Sequence, residues 1–284
     1  IMPGTLYLVP TPIGNLGDIS ARMADTLAQV DFIAAEDTRV TLKLLNHLGL
    51  RKPMVSYYRH NTGESGAAVL SHLLAGESCA LVTDAGTPAI SDPGEDLVRQ
   101  CAQAGIPVVS IPGPCALITA LAASGLPTGR FTFEGFLAMN KKNRRAHLEE
   151  LKGETRTMLF YEAPHKLQAT LADLLEAFGP DRRIALCREL TKLHEEIRRT
   201  TLGEAVTWYE ANPPKGEFVL VLEGGAPAAE NVPTLETGLL RVEELRASGA
   251  SLRDAARQAA AELGLPRKAL YDLALGKGTS DRVD

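Results

Sequence analysis

ALVTDAGTPAISDPG, residues 80–94, is the stretch that decides how the chain is organised. Residues 80–82 form a short apolar run, which is typical of a buried parallel strand. The run stops at Gly86 and Pro88, because glycine frees the backbone and proline removes a hydrogen-bond donor. Open α/β sheets bind ligands at the carboxyl ends of such strands, so residues 84–90 form a candidate site. An ordinary turn between a strand and a helix is the alternative.

Three further apolar runs, at 5–9, 32–35 and 107–111, are also predicted to be strands, and a helical pattern follows each one. Alternating strands and crossover helices predict a mostly parallel sheet. The four strands run into loops rich in Gly, Pro or charge at 10–17, 36–39, 84–88 and 112–116. The carboxyl ends of parallel strands share one edge of a sheet, so the sequence predicts a functional site at this edge.

The pattern changes near residue 126, where we place a domain boundary. The second half combines helices with strands predicted at 131–137, 157–161, 182–188, 196–201 and 217–222. Its helices are predicted to open at 141–145 and to span 165–178 and 203–210. The sequence therefore predicts an α/β fold of two α/β domains. The expected divisions are an N-terminal domain with a mostly parallel sheet at 2–126, a more antiparallel C-terminal domain at 127–225, and a linker with a helical hairpin at 226–284.

Residues 226–236 are rich in Ala and Pro and are predicted to be a linker. Ser251 begins a predicted capping box, and Gly264 with Pro266 separates two short helical patterns. Such a pair resembles a helix-turn-helix. A packing hairpin with no role in nucleic-acid binding is the alternative that we favour.

Composition excludes several classes of protein. The 284 residues carry a net charge of −5, so a generally basic surface is excluded although local basic patches are not. No apolar run reaches the ~18 residues needed to span a bilayer, and we expect no secretory leader. The four cysteines form no C-x-x-C pair and the six histidines lack metal-ligand spacing. We therefore expect a cytoplasmic protein with no metal and no membrane partner.

Standard nucleotide and hydrolase motifs are also missing. The first strand is followed by no G-x-G-x-x-G, and neither a Walker lysine loop nor a G-x-S-x-G elbow occurs. The predicted edge instead offers main-chain groups and small side chains. These features suit a flat ring with a zwitterionic tail.

Motifs along nearly the whole chain resemble the tetrapyrrole-methylase superfamily of S-adenosylmethionine-dependent enzymes. They are PTPIGNLGDI (10–19), AAEDTR (34–39), RHN (59–61), DAGTPAISDPG (84–94), PGPCALITAL (112–121), EGFL (134–137), FYEAPHKL (160–167), RELTKLHEE (188–196) and KGEFVLVLEG (215–224). Small-molecule members usually carry G-G-D-P where this chain has AGTP at 85–88. This departure favours the branch that methylates the ribose 2′-hydroxyl of ribosomal RNA.

The resemblance implies that S-adenosyl-L-methionine binds in a cleft between the two domains. The family's binding segments correspond here to Pro12, Asp84, Ala85, Gly86, Thr87, Pro88, Ala89, Ile90, Pro114, Cys115, Phe160, Tyr161, Gly216 and Glu217. A homodimer is also implied, with a cytidine in the decoding region of 16S rRNA as substrate, within the 30S subunit. A small-molecule methyltransferase on the same fold and a non-catalytic ribosome-assembly factor are the alternatives.

Transfer to a 2′-hydroxyl requires positioning of the oxygen and loss of its proton. The candidate catalytic residues are Glu36, Asp37, His60, Glu189 and Lys192, and Asp84 is a further possible base. The alternatives are helix capping for Glu36 and Asp37, a structural role for His60, and a surface ion pair for Glu189 and Lys192. RNA would need cations, for which the candidates are Arg39, Lys141, Lys142, Arg144 and Arg145. Such charges are more often part of a solvated face.

Overall fold

The computed structural model describes residues 2–226 and 233–276. Its first sheet has five parallel strands in the order β3-β2-β4-β1-β5. The strands are β1 (Leu6–Leu8), β2 (Phe32–Ala35), β3 (Met54–Ser56), β4 (Cys79–Val82) and β5 (Val108–Ser110). The four predicted strands and the parallel arrangement are confirmed. β3 was not predicted, because its three residues are only partly buried or exposed and carry no distinctive apolar pattern.

Five helices connect and cover these strands, and their ends follow local chemistry. They are α1 (Ala21–Gln29), α2 (Thr38–His47), α3 (Thr62–Leu74), α4 (Glu95–Gln103) and α5 (Ala116–Ala123). Ser20 caps α1, since its hydroxyl accepts from the Met23 amide at 3.1 Å. Gly49 follows α2 with φ +68°, a left-handed conformation that glycine adopts without steric cost.

β4 lies at the centre of this domain, and all four of its residues are buried. Cys79 and Leu81 face one apolar core, whereas Ala80 and Val82 face the other. Successive side chains of a strand point to opposite faces, so a continuous apolar run is what a strand covered on both sides requires. The short apolar run predicted from the sequence therefore marks the buried centre of the sheet.

The second sheet is mixed, with the order β6-β7-β10-β8-β9. β6 and β7 are parallel, and the other neighbouring pairs are antiparallel. Its strands are β6 (Phe131–Gly135), β7 (Thr157–Glu162), β8 (Arg183–Arg188), β9 (Glu196–Thr201) and β10 (Phe218–Leu222). Three helices belong to it: α6 (Lys141–Leu151), α7 (Pro164–Phe178) and α8 (Leu202–Ala211). The predicted antiparallel character is confirmed.

α5 joins the two sheets. Its Leu117 and Leu121 share an apolar core with Val219 of β10, on the face of the second sheet opposite α7 and α8. Residues up to 225 accordingly form one compact unit that contains both sheets. The cleft between the sheets is therefore a feature of one folded body. The division at 126/127 stays a prediction.

Beyond residue 225, the described residues 233–276 belong to a second compact unit with its own small core. Its helices are α9 (Leu235–Ala247), α10 (Leu252–Leu263) and α11 (Arg267–Ala274). Ser251 caps α10, as predicted, by accepting from the Asp254 amide at 3.2 Å. The predicted linker 226–236 extends too far, because Thr234 caps α9, which begins at Leu235. Residues 227–232 of that linker lie outside the described residues.

None of the helices in the described ranges combines the length and the apolar character that a bilayer span needs.

Candidate functional site

A cleft opens between the two sheets, with a cavity of about 480 Å³. This volume falls within the ~300–1,000 Å³ that is usual for small-molecule sites. One wall comes from the loops after β4 and β5, and the other from the ends of β7, β8 and β10. The edge predicted from the first sheet therefore supplies half of the site.

The loop after β4 is tied to its neighbours by main-chain contacts. Gly86 exchanges two hydrogen bonds with Thr11, at 2.9 and 3.0 Å, and the Thr87 hydroxyl donates to the Pro114 carbonyl at 2.9 Å. Gly86 has φ +83°, and a Cβ there would lie 3.4 Å from the Ile13 side chain. Glycine is thus required at this point, where three loops form one rigid wall.

Two hydrogen bonds connect the loops after β2 and β4, and we call Glu36, Asp37 and Asp84, which make them, the relay residues. The Glu36 carboxylate accepts from the Asp84 amide at 3.2 Å, and the Asp84 carboxylate accepts from the Asp37 amide at 3.2 Å. Asp37 itself caps α2 by accepting from the Arg39 amide at 2.8 Å and pairs with the Arg39 guanidinium at 2.6 Å. Capping, the alternative considered for Asp37, is therefore present in the structure.

The charges at this edge follow from burial and pairing. Hydrogen bonds from Arg39 lower the pKa of Asp37 to about 2. Burial raises the pKa of Glu36, and the carboxylates of Asp92 and Asp84 raise it further. Burial also raises the pKa of Asp84, with the Asp37 charge adding to it. None of the three relay residues, Glu36, Asp37 and Asp84, lines the cleft; Asp84 lines an adjacent pocket of about 320 Å³ together with Pro12.

Asp92 is a cleft residue that sequence reasoning missed. It lines the cavity beside Ile90, and its burial raises the pKa of its carboxyl, with the Asp84 charge as a smaller cause. The sequence signal was present, because Asp92 belongs to the motif at residues 84–94. Its position between Ser91 and Pro93 is typical of an ordinary turn, so Asp92 was not singled out.

Lys192 links two carboxylates at the rim of the cleft. Its ammonium lies 3.0 Å from Glu189 and 2.8 Å from Glu217, and the Glu189 carboxylate also accepts from the Glu217 amide at 2.8 Å. Burial lowers the pKa of Lys192, but the two carboxylates outweigh it and hold that pKa above its usual value. Burial raises the pKa of Glu189, but the Glu217 amide and Lys192 outweigh it and keep Glu189 ionised.

The backbone around this carboxylate–lysine cluster is strained. Glu189 and Thr191 have φ of +50° and +70°, which non-glycine residues seldom adopt. A Cβ at Gly216 would lie 2.5 Å from the Glu189 side chain, and one at Gly14 would lie 2.5 Å from that of Lys192. The Asn15 amide donates to the Thr191 carbonyl at 3.3 Å, which connects this segment to the other domain. Strain of this kind concentrates at functional sites.

Tyr161 supplies an aromatic wall to the cleft. Its hydroxyl accepts from the Leu117 amide at 3.2 Å, and burial raises the pKa of this phenol to about 12. Phe133 and Phe136 meet its ring edge to face at 4.9 and 5.7 Å. The neighbouring Phe160 is fully buried in the core on the opposite face of the sheet, so only its main chain could contribute to the site.

The structure gathers about half of the predicted cofactor residues in one cavity. Those that line it are Ala85, Gly86, Thr87, Ile90, Cys115, Tyr161 and Glu217. Those that lie outside its wall are Pro12, Asp84, Pro88, Ala89, Pro114, Phe160 and Gly216. Among the predicted catalytic residues, Glu189 and Lys192 line the cleft, whereas Glu36, Asp37 and the exposed His60 do not. Their roles stay predictions.

The predicted RNA-binding cations differ in their surroundings. Arg39 is exposed but paired with Asp37. The Arg144 guanidinium is mostly buried, pairs with Asp173 and donates to the Thr170 hydroxyl at 2.8 Å. Lys141, Lys142 and Arg145 are exposed on α6 and form no ion pair with another described residue. Arg144 thus holds α6 to α7, and the other three cations on α6 are available to a partner.

Comparison with known proteins gives the family. Residues 5–206 match the family model for Tetrapyrrole (Corrin/Porphyrin) Methylases, and residues 235–278 match the RsmI C-terminal HTH domain. The fold is similar to that of the methyltransferase CobJ, with a TM-score of 0.60 at 19% identity over 78% of this chain and 95% of that one. It is also similar to uroporphyrin-III C-methyltransferase from Thermus thermophilus, crystallised with S-adenosylhomocysteine. For that structure the TM-score is 0.53 at 19% identity, over 77% of this chain and 97% of the other.

The fold, the cleft and the family model together define the class, and the chain belongs to the tetrapyrrole methylases. A full-length relative narrows the assignment. Ribosomal RNA small subunit methyltransferase I of Synechocystis is 50% identical over 96% of this chain and 98% of its own length. Within the tetrapyrrole methylases, the chain therefore belongs to the family that carries this name.

Proposed function

We propose that this protein transfers a methyl group from S-adenosyl-L-methionine to the ribose 2′-hydroxyl of a cytidine in the decoding region of 16S rRNA, within the 30S subunit. The observation that carries the proposal is 50% identity over nearly the whole length of a ribosomal RNA methyltransferase. The cleft supports it, because a cavity formed at the ends of strands from both sheets is suited to bringing two substrates together. The choice of ribose, cytidine and decoding region rests on the sequence resemblance.

The residues of the cleft fit S-adenosylmethionine. The cavity wall is predominantly apolar and carries the aromatic ring of Tyr161, which suits an adenosine. The carboxylate of Glu217 also lines it and suits the cationic groups of the ligand. A structure of similar fold was crystallised with S-adenosylhomocysteine, which supports the same ligand class here. The loop at 85–90, with Cys115 and Tyr161, would hold it.

The bound cofactor supplies a methyl group activated by a sulfonium sulfur, so the protein's main task is positioning. Lys192, held by Glu189 and Glu217, presents a fixed positive charge that can hold an RNA phosphate or the 2′-hydroxyl oxygen. Because its pKa is raised, Lys192 stays protonated and cannot act as a base. Glu189 is ionised but already accepts from Lys192 and the Glu217 amide, which makes it a poor proton acceptor.

Asp92 is a better candidate for the general base than Lys192 or Glu189. It lines the cleft, and burial raises the pKa of its carboxyl, which increases its affinity for a proton. Glu36 and Asp84 also have raised pKa values, but each carboxylate accepts a main-chain hydrogen bond and neither lines the cleft. We therefore assign proton acceptance to Asp92 and the anchoring of the β2 and β4 loops to Glu36 and Asp84.

The sequence resemblance also supports a homodimer in the cytoplasm, and both belong to this proposal. Light scattering of the purified protein at micromolar concentration tests the assembly. A mass of twice the chain's 30.4 kDa is the expected result, and a mass of one chain would contradict it.

The function is tested with radiolabelled S-adenosylmethionine and three acceptors: 30S subunits that lack the modification, deproteinised 16S rRNA, and uroporphyrinogen. We expect label on the 30S subunits. Label on uroporphyrinogen alone would show that the protein is a small-molecule methylase on the same fold. S-adenosylhomocysteine binding with no transfer to any acceptor would favour a non-catalytic assembly factor.

A further inference from the structure

A basic groove lies between α6 and α7, beside the cleft. The groove has a volume of about 730 Å³ and is bounded at one end by Leu137 and Met139. Its charged lining residues are the cations Lys141, Arg144, Arg145, Lys152 and Lys166 and the acids Glu149, Asp173 and Glu176. Five cations against three carboxylates give a positive surface on a chain whose net charge is −5. The charge of this face is therefore opposite to that of the whole molecule.

The ion pairs inside the groove leave three cations available. Arg144 pairs with Asp173, and Lys152 pairs with Glu149 at 2.6 Å. Lys141, Arg145 and Lys166 make no ion pair with any residue that the structure describes. Three cations that point into a concave surface without partners are suited to a string of negative charges, such as the phosphates of a nucleic acid.

The start of α7 is a wall shared by the cleft and the groove. Pro164 and His165 line the cleft, and the next residue, Lys166, lines the groove. A buried hydrogen-bond network stiffens this wall, because the Thr170 hydroxyl accepts from Arg144 at 2.8 Å and donates to Glu162 at 2.5 Å. Glu162 also faces the cleft. A ligand in the cleft and a ligand in the groove would therefore be neighbours separated by one helical turn.

Phe136 lies on the rim between the cleft and the groove. The chain turns at Gly135, with φ +65° and a register shift between β6 and β7. Leu137 is buried and anchors the turn, while Phe136 lines the cleft with 57% of its surface exposed. An exposed aromatic ring, held edge to face against Tyr161, is a stacking platform that every base can use.

We propose that Phe136 and the basic groove bind a single-stranded segment of the RNA acceptor. A base of this segment stacks on Phe136, and its phosphates contact Lys141, Arg145 and Lys166. The inference rests on the proposed function, which it deepens by naming the form of RNA that the site takes. A ribose that enters a cavity must be unstacked from its neighbours, and proteins recognise unstacked nucleotides by stacking and by phosphate contacts. Duplex RNA has no free base to place on Phe136.

The groove is tested with the double variant Arg145→Gln/Lys166→Gln in the full-length protein. Its matched control is Arg51→Gln/Arg130→Gln, which removes two exposed cations that form no described ion pair and lie just before β3 and β6. The probes are a 20-nucleotide single-stranded RNA of mixed sequence and a duplex of the same length. For the single strand we expect the groove variant to raise Kd roughly tenfold. We also expect it to flatten the slope of log K against log salt by about 1.4, or about 0.7 for each phosphate that the variant no longer neutralises. The duplex should bind wild type more weakly than the single strand.

Phe136 is tested by Phe136→Ala, with Phe136→Tyr as the conservative variant and Phe131→Ala as the control. Phe131 is an exposed aromatic residue on the same strand region, but it does not line the cleft. Loss of one stacked base should raise KM for 30S subunits roughly 5- to 150-fold. Phe136→Tyr should restore it, and Phe131→Ala should leave it at the wild-type value.

The inference would be overturned by RNA binding of the groove variant equal to that of its control, or by a KM for 30S subunits in Phe136→Ala equal to that of Phe131→Ala. Equal binding of the duplex would likewise exclude a single-strand site. Failure of the proposed function is distinguishable, because wild type would then transfer no methyl to 30S subunits. The RNA-binding measurements on the variants stand whether or not transfer occurs.

Discussion

Gly216 is the residue on which the shape of the carboxylate–lysine cluster depends most directly. It has φ +83°, and a Cβ would come within 2.5 Å of the Glu189 carboxylate. Gly216→Ala should destabilise the protein by about 2 kcal/mol or more, because a left-handed alanine is strained and Glu189 must move. The expected effect is a Tm lower by roughly 4–8 °C, with weaker binding of S-adenosylhomocysteine in calorimetry.

Gly153→Ala is the control, since a Cβ there meets nothing within 4 Å. A Gly216→Ala protein with the Tm and ligand affinity of this control would show that the Glu189–Lys192–Glu217 geometry is not needed.

Asp92 gives a prediction about pH. A carboxyl whose folded pKa is raised binds protons more tightly in the folded state than in the unfolded state. Ionising it therefore costs stability, and the cost grows as pH rises from the ordinary value of 3.8 through the raised pKa. Asp92→Asn removes that cost, so the variant should be more stable than wild type at pH 7. Thermal unfolding at pH 3 and pH 7 measures the difference in stability between Asp92→Asn and wild type. This difference should vanish at pH 3.

The same substitution removes the proposed base, so methyl transfer by Asp92→Asn should fall about 100-fold or more. A variant that is stabilised and fully active would show that Asp92 is a partly buried carboxyl with no role in proton transfer. A variant that is destabilised at pH 7 would contradict the sign of the pKa shift.

At the scale of elements, Thr170 connects α6 and α7 to the wall of the cleft. Its side chain is fully buried between Arg144 and Glu162. Thr170→Val keeps the shape but leaves Glu162 without its hydroxyl donor, which should cost about 1–3 kcal/mol. Thr207→Val on α8 is the matched control, because its exposed hydroxyl donates only to the Gly203 carbonyl, at 3.0 Å. Urea unfolding of both variants measures the loss in free energy of unfolding. Equal losses in the two variants would show that the buried hydrogen bonds of Thr170 do not stabilise the protein.

Element patterns were predictable wherever a local signal existed. The strand at 80–82, the loop that follows it and the Ser251 cap all depend on adjacent residues. β3 was not predicted, because three partly exposed residues are too few to show a hydrophobic periodicity. The relay through Glu36 and Asp84 could not be predicted, since it depends on the register of β2 against β4. The Glu189 and Lys192 pair is local in sequence, whereas Glu217 joins it only through the fold.

At the scale of the whole molecule, both sheets and the cleft belong to the compact unit that ends at residue 225. Within the described residues, the C-terminal helices have an apolar core of their own. A protein that ends at residue 226 should therefore fold and bind S-adenosylhomocysteine with unchanged affinity. Circular dichroism and calorimetry check it. Loss of ligand binding in a folded fragment would show that the C-terminal helices complete the site.

Methylation of the ribose 2′-hydroxyl is best tested by alkaline hydrolysis of RNA from 30S subunits that the protein has labelled. Alkali cleaves RNA only where the 2′-hydroxyl is free, so ribose methylation leaves an alkali-stable dinucleotide. We expect label in a dinucleotide whose 5′ member is a cytidine. Label in mononucleotides would show methylation of a base and would contradict it.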